Sequence, residues 1–465
     1  MLFPTLEFAI FFAVVLPVCW ALNERLWSWK AFVLLASYFF YGWWDWHFVG
    51  LLIGLTLINH ALAHLLHVSR GKRRRLLLTL ALVLNLGTLA FFKYFGFFTL
   101  SLDAVLAAVD SPVRPPLAEI LLPVGVSFFT FQAISYVVDV HRRRVLPTTL
   151  LDFAVYLALF PQLIAGPIVR AAELLPQLRW CRDPEHIPVG RAFRLIAGGL
   201  FKKVVLAERL AASLVDPVFA DPAAHSAAAI WLGVYGYAAQ IYCDFSAYSD
   251  IAIGVALLMG LRFPDNFNAP YTATSLQDFW RRWHMTLSKW LRDYLYIPLG
   301  GSQRGTLKTY RNLMITMLLG GLWHGAAWRF VLWGGLHGGY LAAERALGVR
   351  RPSTVWGAWG RRLWTFHFVC FCWIFFRAPS MPRATEVLSG MVSAGGPPLP
   401  IEPAAWASLV VGLGAQYISS SRWRRLEDGF ARLPPVAQGA VAAGTLAGIN
   451  ALSPPGVAAF IYFQF

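Results

Sequence analysis

Ser275-Leu276-Gln277-Asp278-Phe279-Trp280-Arg281-Arg282-Trp283-His284-Met285-Thr286-Leu287-Ser288-Lys289-Trp290-Leu291-Arg292-Asp293-Tyr294 opens the stretch that decides how this chain is read. It continues through Leu318-Leu319-Gly320-Gly321-Leu322-Trp323-His324-Gly325-Ala326-Ala327-Trp328 and closes at Gly334-Gly335-Leu336-His337. Histidine, arginine and tryptophan are concentrated here, in a chain that is otherwise mostly lipid-compatible. His284 and His324 stand in or beside apolar helices, where an ionisable group is costly and marks a functional site by default.

The surrounding composition sets the class. Of 465 residues, 57% are hydrophobic and 14% charged, and the mean hydropathy is +0.54. A soluble domain carries about 25% charged residues, so the expected fold is all-α and polytopic within a membrane. The net charge of +16 reads as loop charge facing anionic headgroups. The basic residues lie between apolar spans and form no continuous face, which argues against a nucleic-acid partner. Cys19, Cys370 and Cys372 lie in apolar spans, and Cys181 and Cys243 are isolated. With no CxxC or Cys/His spacing, neither a disulfide nor a metal site is expected.

Windows of about 20 apolar residues place spans outward from the central stretch. Leu6–Leu22 reads as an uncleaved first span, since it lacks a basic n-region and a small-residue cleavage site. Ala31–Tyr41 ends in the interfacial belt Tyr41–Trp46. Phe48–Leu66, Leu76–Phe98 and Ile120–Val138 follow, joined by Arg70–Arg75, by the proline-rich loop from Asp110 to Pro116, and by His141–Arg144. The two basic clusters fall on one side, cytoplasmic by the positive-inside rule, and place the N-terminus outside. Leu151–Ile164 is short and stops at Ala165-Gly166-Pro167, which suits a re-entrant segment lining a cavity. Phe193–Val215 crosses with Lys202 and Lys203 free to snorkel. Ile230–Ile241 and Ile251–Leu261 flank Asp244–Asp250, whose carboxylates either orient an imidazole or bond within a hydroxyl-rich turn. Leu363–Phe376, Ala404–Tyr417 and Val436–Phe463 complete the set, the last expected to be two elements broken at Ser453-Pro454-Pro455-Gly456. The sum is about 11 transmembrane helices plus re-entrant segments around a central passage. The chain reads as one membrane-embedded domain, 1–465, with N-terminal spans (1–150), a catalytic core (151–350) and C-terminal spans (351–465).

Ser275 to Asp278 has the capping-box pattern of a helix start. From there Gln277, Arg281, His284 and Ser288 fall on one helical face and Trp280, Trp283, Leu287 and Leu291 on the other. That predicts one amphipathic helix, either an interfacial belt or a platform for His284. His324 ends the apolar run Leu313–Leu322, with Gly320, Gly321 and Gly325 leaving room for close approach. Its bland alternative is a packing histidine bonded to a helix carbonyl. An imidazole titrates near about 6.5 when unperturbed and serves as a general base worth about 10² to 10⁴ in rate. No G-x-S-x-G elbow is present, which favours direct transfer to a hydroxyl.

Phe160–Pro167, Tyr242–Asp250, Phe279–Gly301, Gly320–Trp328 and the closing Ile461-Tyr462-Phe463-Gln464-Phe465 together resemble the membrane-bound O-acyltransferase family, and within it the bacterial branch that acetylates alginate-like exopolysaccharide. The resemblance covers nearly the whole chain, weakening from about Met381 to Pro454. It implies an O-acetyltransferase of the bacterial cytoplasmic (inner) membrane, with acetyl-CoA as the donor and no permanently bound cofactor. His324, in the Leu-Trp-His-Gly motif, corresponds to the family's catalytic histidine, and His284, in the Arg-Trp-His motif, to its supporting one. It further implies a periplasmic SGNH-type partner and a polysaccharide acceptor. Arg281, Arg282, Lys289 and Arg292 are candidates for holding the donor's phosphates, or are ordinary inside-facing charge. Rival readings are D-alanyl or peptidoglycan transfer on the same fold, a polysaccharide or lipid-linked-sugar transporter, and a non-catalytic assembly subunit. A transporter would be expected to show pseudo-symmetric halves, and no internal repeat is visible.

Overall fold

The computed structural model describes residues 1–111, 113, 115, 120–349, 352–393 and 395–454. The expected break at Pro455-Gly456, the closing Ile461–Phe465 motif and part of the loop from Asp110 to Pro116 lie outside the described residues. Every regular element among the described residues is helical. The chain divides into two compact units, one built mainly from residues 1–186 and the other mainly from 187 onward.

The first unit contains α1 (Leu6–Ala21), α2 (Leu26–Gly42), α3 (His47–Val68), α4 (Gly71–Ala108), α5 (Val126–His141) and α6 (Leu150–Ala158). Thr5 caps α1 by accepting the Phe8 N–H at 3.3 Å, an N-cap bond that uses one orphan donor of the first turn. Asn59 of α3 and Asn85 of α4 are fully buried and exchange side-chain amide bonds at 3.1 and 2.7 Å, so neither leaves an unmet polar group in an apolar bundle. The helix expected from Ile120 begins only at Val126. Pro123 precedes it, and Gly125 takes φ +78° in a space where a Cβ would meet the Leu163 carbonyl oxygen at 2.5 Å. The short apolar segment ends α6 at Ala158, then makes one further turn at Phe160–Leu163, all of it buried.

The second unit opens with α7 (Val189–Leu200), continued by wider π-helical turns at Phe201–Ala207 and Ala211–Val215, and with α8 (Ala227–Leu258). Gly199 and Gly254 bring α7 and α8 together, since a Cβ on either would crowd Ile251 or Ile196 at 2.6 Å. Two sequence expectations change here. Ile230–Ile241 and Ile251–Leu261 do not flank a turn, because Asp244 and Asp250 sit within the unbroken α8. Nor do the lysines snorkel. Lys203 is buried, with Nζ 2.8 Å from Asp244 and 2.7 Å from Glu208, and Lys202 lies 2.6 Å from Asp250. Ion pairing satisfies the carboxylates, so the helix has no need to open around them.

The remainder is α9 (Leu276–Trp280), α10 (Met285–Leu291), α11 (Thr306–His324), α12 (Trp328–Ala346), α13 (Val355–Arg377), α14 (Met381–Ser393), α15 (Pro403–Gly414), α16 (Ser420–Ala431) and α17 (Pro435–Leu452). Among the described residues, α3, α4 and α8 are long and apolar enough to cross a membrane by length and composition, and α1 is a shorter apolar helix. The wider count of about 11 rests on segments that are shorter, kinked or more polar.

Candidate active site

Small residues hold α11 against α12. A Cβ on Gly321 would lie 2.1 Å from the Phe330 carbonyl oxygen, and one on Gly334 would lie 2.3 Å from that of Met317. The space read beside His324 is therefore filled by the neighbouring helix backbone. This register sets His324, the last residue of α11, across from Trp333 of α12 at 5.1 Å between ring centroids, edge to face. Trp323 stands at 5.1 Å and Phe376 of α13 at 5.3 Å. The Arg329 guanidinium donates to the Phe376 carbonyl at 2.8 Å and ties that end of α13 to the start of α12.

His284 arrives differently from the expectation. The predicted single helix is broken: α9 ends at Trp280, and α10 starts at Met285. Ser275 does cap the first piece, accepting the Asp278 N–H at 3.1 Å. His284 takes φ +41°, a left-handed conformation that costs a non-glycine residue about 1–2 kcal/mol, and it lies fully buried instead of on an exposed polar face. Asn266, which no sequence motif singles out, anchors the break. Its Oδ1 accepts from Thr286 N at 3.2 Å and Thr286 Oγ1 at 2.9 Å, and lies 3.2 Å from His284 Nδ1. Its Nδ2 donates to Ser249 of α8 at 3.0 Å. Bonding Nδ1–H to Asn266 puts the imidazole lone pair on Nε2. Phe245 packs edge-on at 4.7 Å, and Trp323 lies 5.9 Å away. Trp323 thus stands against both histidine rings.

His324 is only 3% exposed. Trp323, Trp333 and Phe376 pack on its ring where an open passage was expected. Asp244 and Asp250 pair with lysines, as above, so the proposed turn falls. Among the described residues, two of the four candidate phosphate ligands are ion-paired and two are not. Arg282 binds Asp278 at 3.0 Å, Arg292 binds Asp293 at 2.6 Å, and Arg281 and Lys289 are exposed. His337, quoted in the sequence but given no role, is also buried, and its Nδ1 accepts the Trp280 indole N–H at 3.2 Å.

Buried histidines inside an aromatic cluster of apolar helices make up the site. The chain belongs to the membrane-bound O-acyltransferase family, which matches residues 139–381 and so includes both histidines. It is an O-acyltransferase. It is 44% identical to the probable alginate O-acetylase AlgI of Azotobacter vinelandii over 78% of this chain and 72% of that protein. It is 37% identical to the peptidoglycan O-acetyltransferase of Helicobacter pylori, over 79% of this chain and 74% of that one. Identity to the teichoic acid D-alanyltransferase of Streptococcus thermophilus is 30%, over 56% of this chain and 66% of that one.

Proposed function

We propose that this protein moves an acetyl group from cytoplasmic acetyl-CoA, across the inner membrane, towards hydroxyls of an alginate-like exopolysaccharide, with a periplasmic SGNH-type partner completing delivery. His324 is the general base and His284 its support. The observation that carries the reading is the placement of both imidazoles, buried and each packed against Trp323, in the family-matched segment. The names of the alginate-acetylating relatives support the acceptor class.

In this mechanism His324 takes the proton of the acceptor hydroxyl. The oxygen attacks the acyl carbon, the carbon–sulfur bond breaks, and the departing thiolate receives the proton from His324. Arg281, Arg282, Lys289 and Arg292 draw the donor's phosphates to the inner mouth, two of them by exchanging an intramolecular carboxylate for a phosphate. Because CoA cannot cross about 30 Å of hydrocarbon, the acyl group alone makes the passage. The test is to supply labelled acetyl-CoA to inverted membrane vesicles containing the protein and an acceptor. Label in acceptor bound as an alkali-labile ester is expected. Label that never leaves CoA, or transfer only from a carrier-protein thioester, would overturn the donor assignment and favour the D-alanyl type of chemistry.

A further inference from the structure

The face of α12 that meets His324 carries a second histidine. Trp333 and His337 stand one helical turn apart, 1% and 0% exposed, with ring centroids 4.6 Å apart. Trp333 in turn is the ring packed on His324. Residues His284, Trp323, His324, Trp333 and His337 thus form one run of alternating histidine and tryptophan rings.

The hydrogen bond from Trp280 fixes the state of His337. An indole N–H can only donate, so Nδ1 must offer its lone pair, and the neutral ring carries its proton on Nε2. That Nε2–H has no hydrogen-bond partner among the described residues, and neither has the Trp333 indole Nε1–H. A buried donor left unmet costs about 1–3 kcal/mol. These two donors stand on adjacent rings, and Trp333 packs directly on His324. A catalytic site that stabilises developing negative charge needs donors of this kind, fixed, dry and unoccupied until the charge appears.

We propose that Trp333 Nε1–H and His337 Nε2–H form the oxyanion-binding donors of the acyl-transfer step, with Trp280 holding His337 in the donating tautomer. The proposal rests on His324 acting as the base. As His324 takes the hydroxyl proton and the hydroxyl oxygen bonds to the acyl carbon, the carbonyl electron pair moves onto its oxygen. The two N–H groups then donate to that oxyanion. When the carbonyl re-forms, the carbon–sulfur bond breaks and the thiolate leaves with the electron pair, taking up the proton from His324. His337 and Trp333 gain and lose no proton throughout.

The test compares His337→Phe, His337→Gln, Trp333→Phe and Trp280→Phe in purified protein, with kcat, KM and thermal unfolding measured for each. His337→Phe and Trp333→Phe are expected to lower kcat by about 10² to 10³-fold, the loss typical of one oxyanion donor. KM for both substrates should stay near wild type at a temperature where the unfolding curve shows the variant folded, and the pH–rate profile should drop in plateau without moving its inflection. His337→Gln, which keeps an N–H, should recover at least tenfold over His337→Phe. Trp280→Phe, which frees the tautomer, should fall in between. Wild-type kcat in His337→Phe or Trp333→Phe, or no advantage of Gln over Phe at 337, would overturn the donor role and leave these rings as packing. If His337→Phe does not fold, Trp333→Phe decides alone. An inactive wild type with acetyl-CoA would instead count against the proposed donor and leave the pair to be read with another thioester.

Discussion

Asn266→Ala removes the side chain hydrogen-bonded to His284 and to the first turn of the helix after it. Three contacts at Oδ1 and one at Nδ2 disappear together. Thr286 Oγ1 can rotate to another acceptor, but the Thr286 N–H and the His284 Nδ1–H stay buried. At about 1–3 kcal/mol for each unmet donor, the loss is about 2–6 kcal/mol. The left-handed conformation of His284 also loses its restraint, and release of that strain, about 1–2 kcal/mol, favours a different backbone path. The variant should therefore unfold at clearly lower temperature in detergent. At a temperature where it is still folded, acetyl transfer should fall at least tenfold, because a displacement of about 1 Å in a catalytic group costs on the order of 10²-fold. Ser249→Ala, which removes only the Nδ2 partner, should cost about 1–3 kcal/mol and leave most activity. An Asn266→Ala protein with wild-type unfolding and wild-type transfer would refute the claim that this side chain positions His284.

Further outcomes follow from the packing and the buried charges. Gly321→Ala places a methyl about 1 Å too close to the Phe330 carbonyl, so α11 and α12 must separate; a cost of about 1–3 kcal/mol should appear in thermal unfolding, with activity falling by more than stability predicts as His324 moves from Trp333. Lys203→Ala strands Asp244 and Glu208 in the interior and is expected to cost about 3–5 kcal/mol, read as loss of folded protein in membranes. Lys202→Ala, at the more open pair with Asp250, should cost about 1 kcal/mol or less, so comparing the two yields checks which ion pair the fold depends on.

What could be read from the sequence was what hydrophobic patterning and small residues express. His324 lies at the end of an apolar run, and Gly321 beside it marks a close approach of another backbone, so both are legible in one dimension, whereas the matching Gly334 is not. His284 was visible as a residue but not as a conformation. Its neighbours keep helical spacing through the break, and a left-handed histidine has no sequence signature comparable to glycine. Asn266 escaped because its partners, Ser249, His284 and Thr286, are distant in the chain. Burial of Lys203 is not legible because a snorkelling and a buried lysine have the same sequence pattern, and only the fold brings Asp244 and Glu208 to it. The helix α16 escaped a search for apolar windows because Arg422, Arg424 and Arg425 make it polar overall.

The central claim is that the His324 imidazole moves the proton in acyl transfer. Steady-state acetyl transfer by His324→Ala, in protein shown to be inserted and folded by its unfolding curve, tests it most directly. The account predicts a fall of about 10² to 10⁴-fold, the contribution of a positioned general base, with the unfolding midpoint largely unchanged. Transfer within a few-fold of wild type would contradict it.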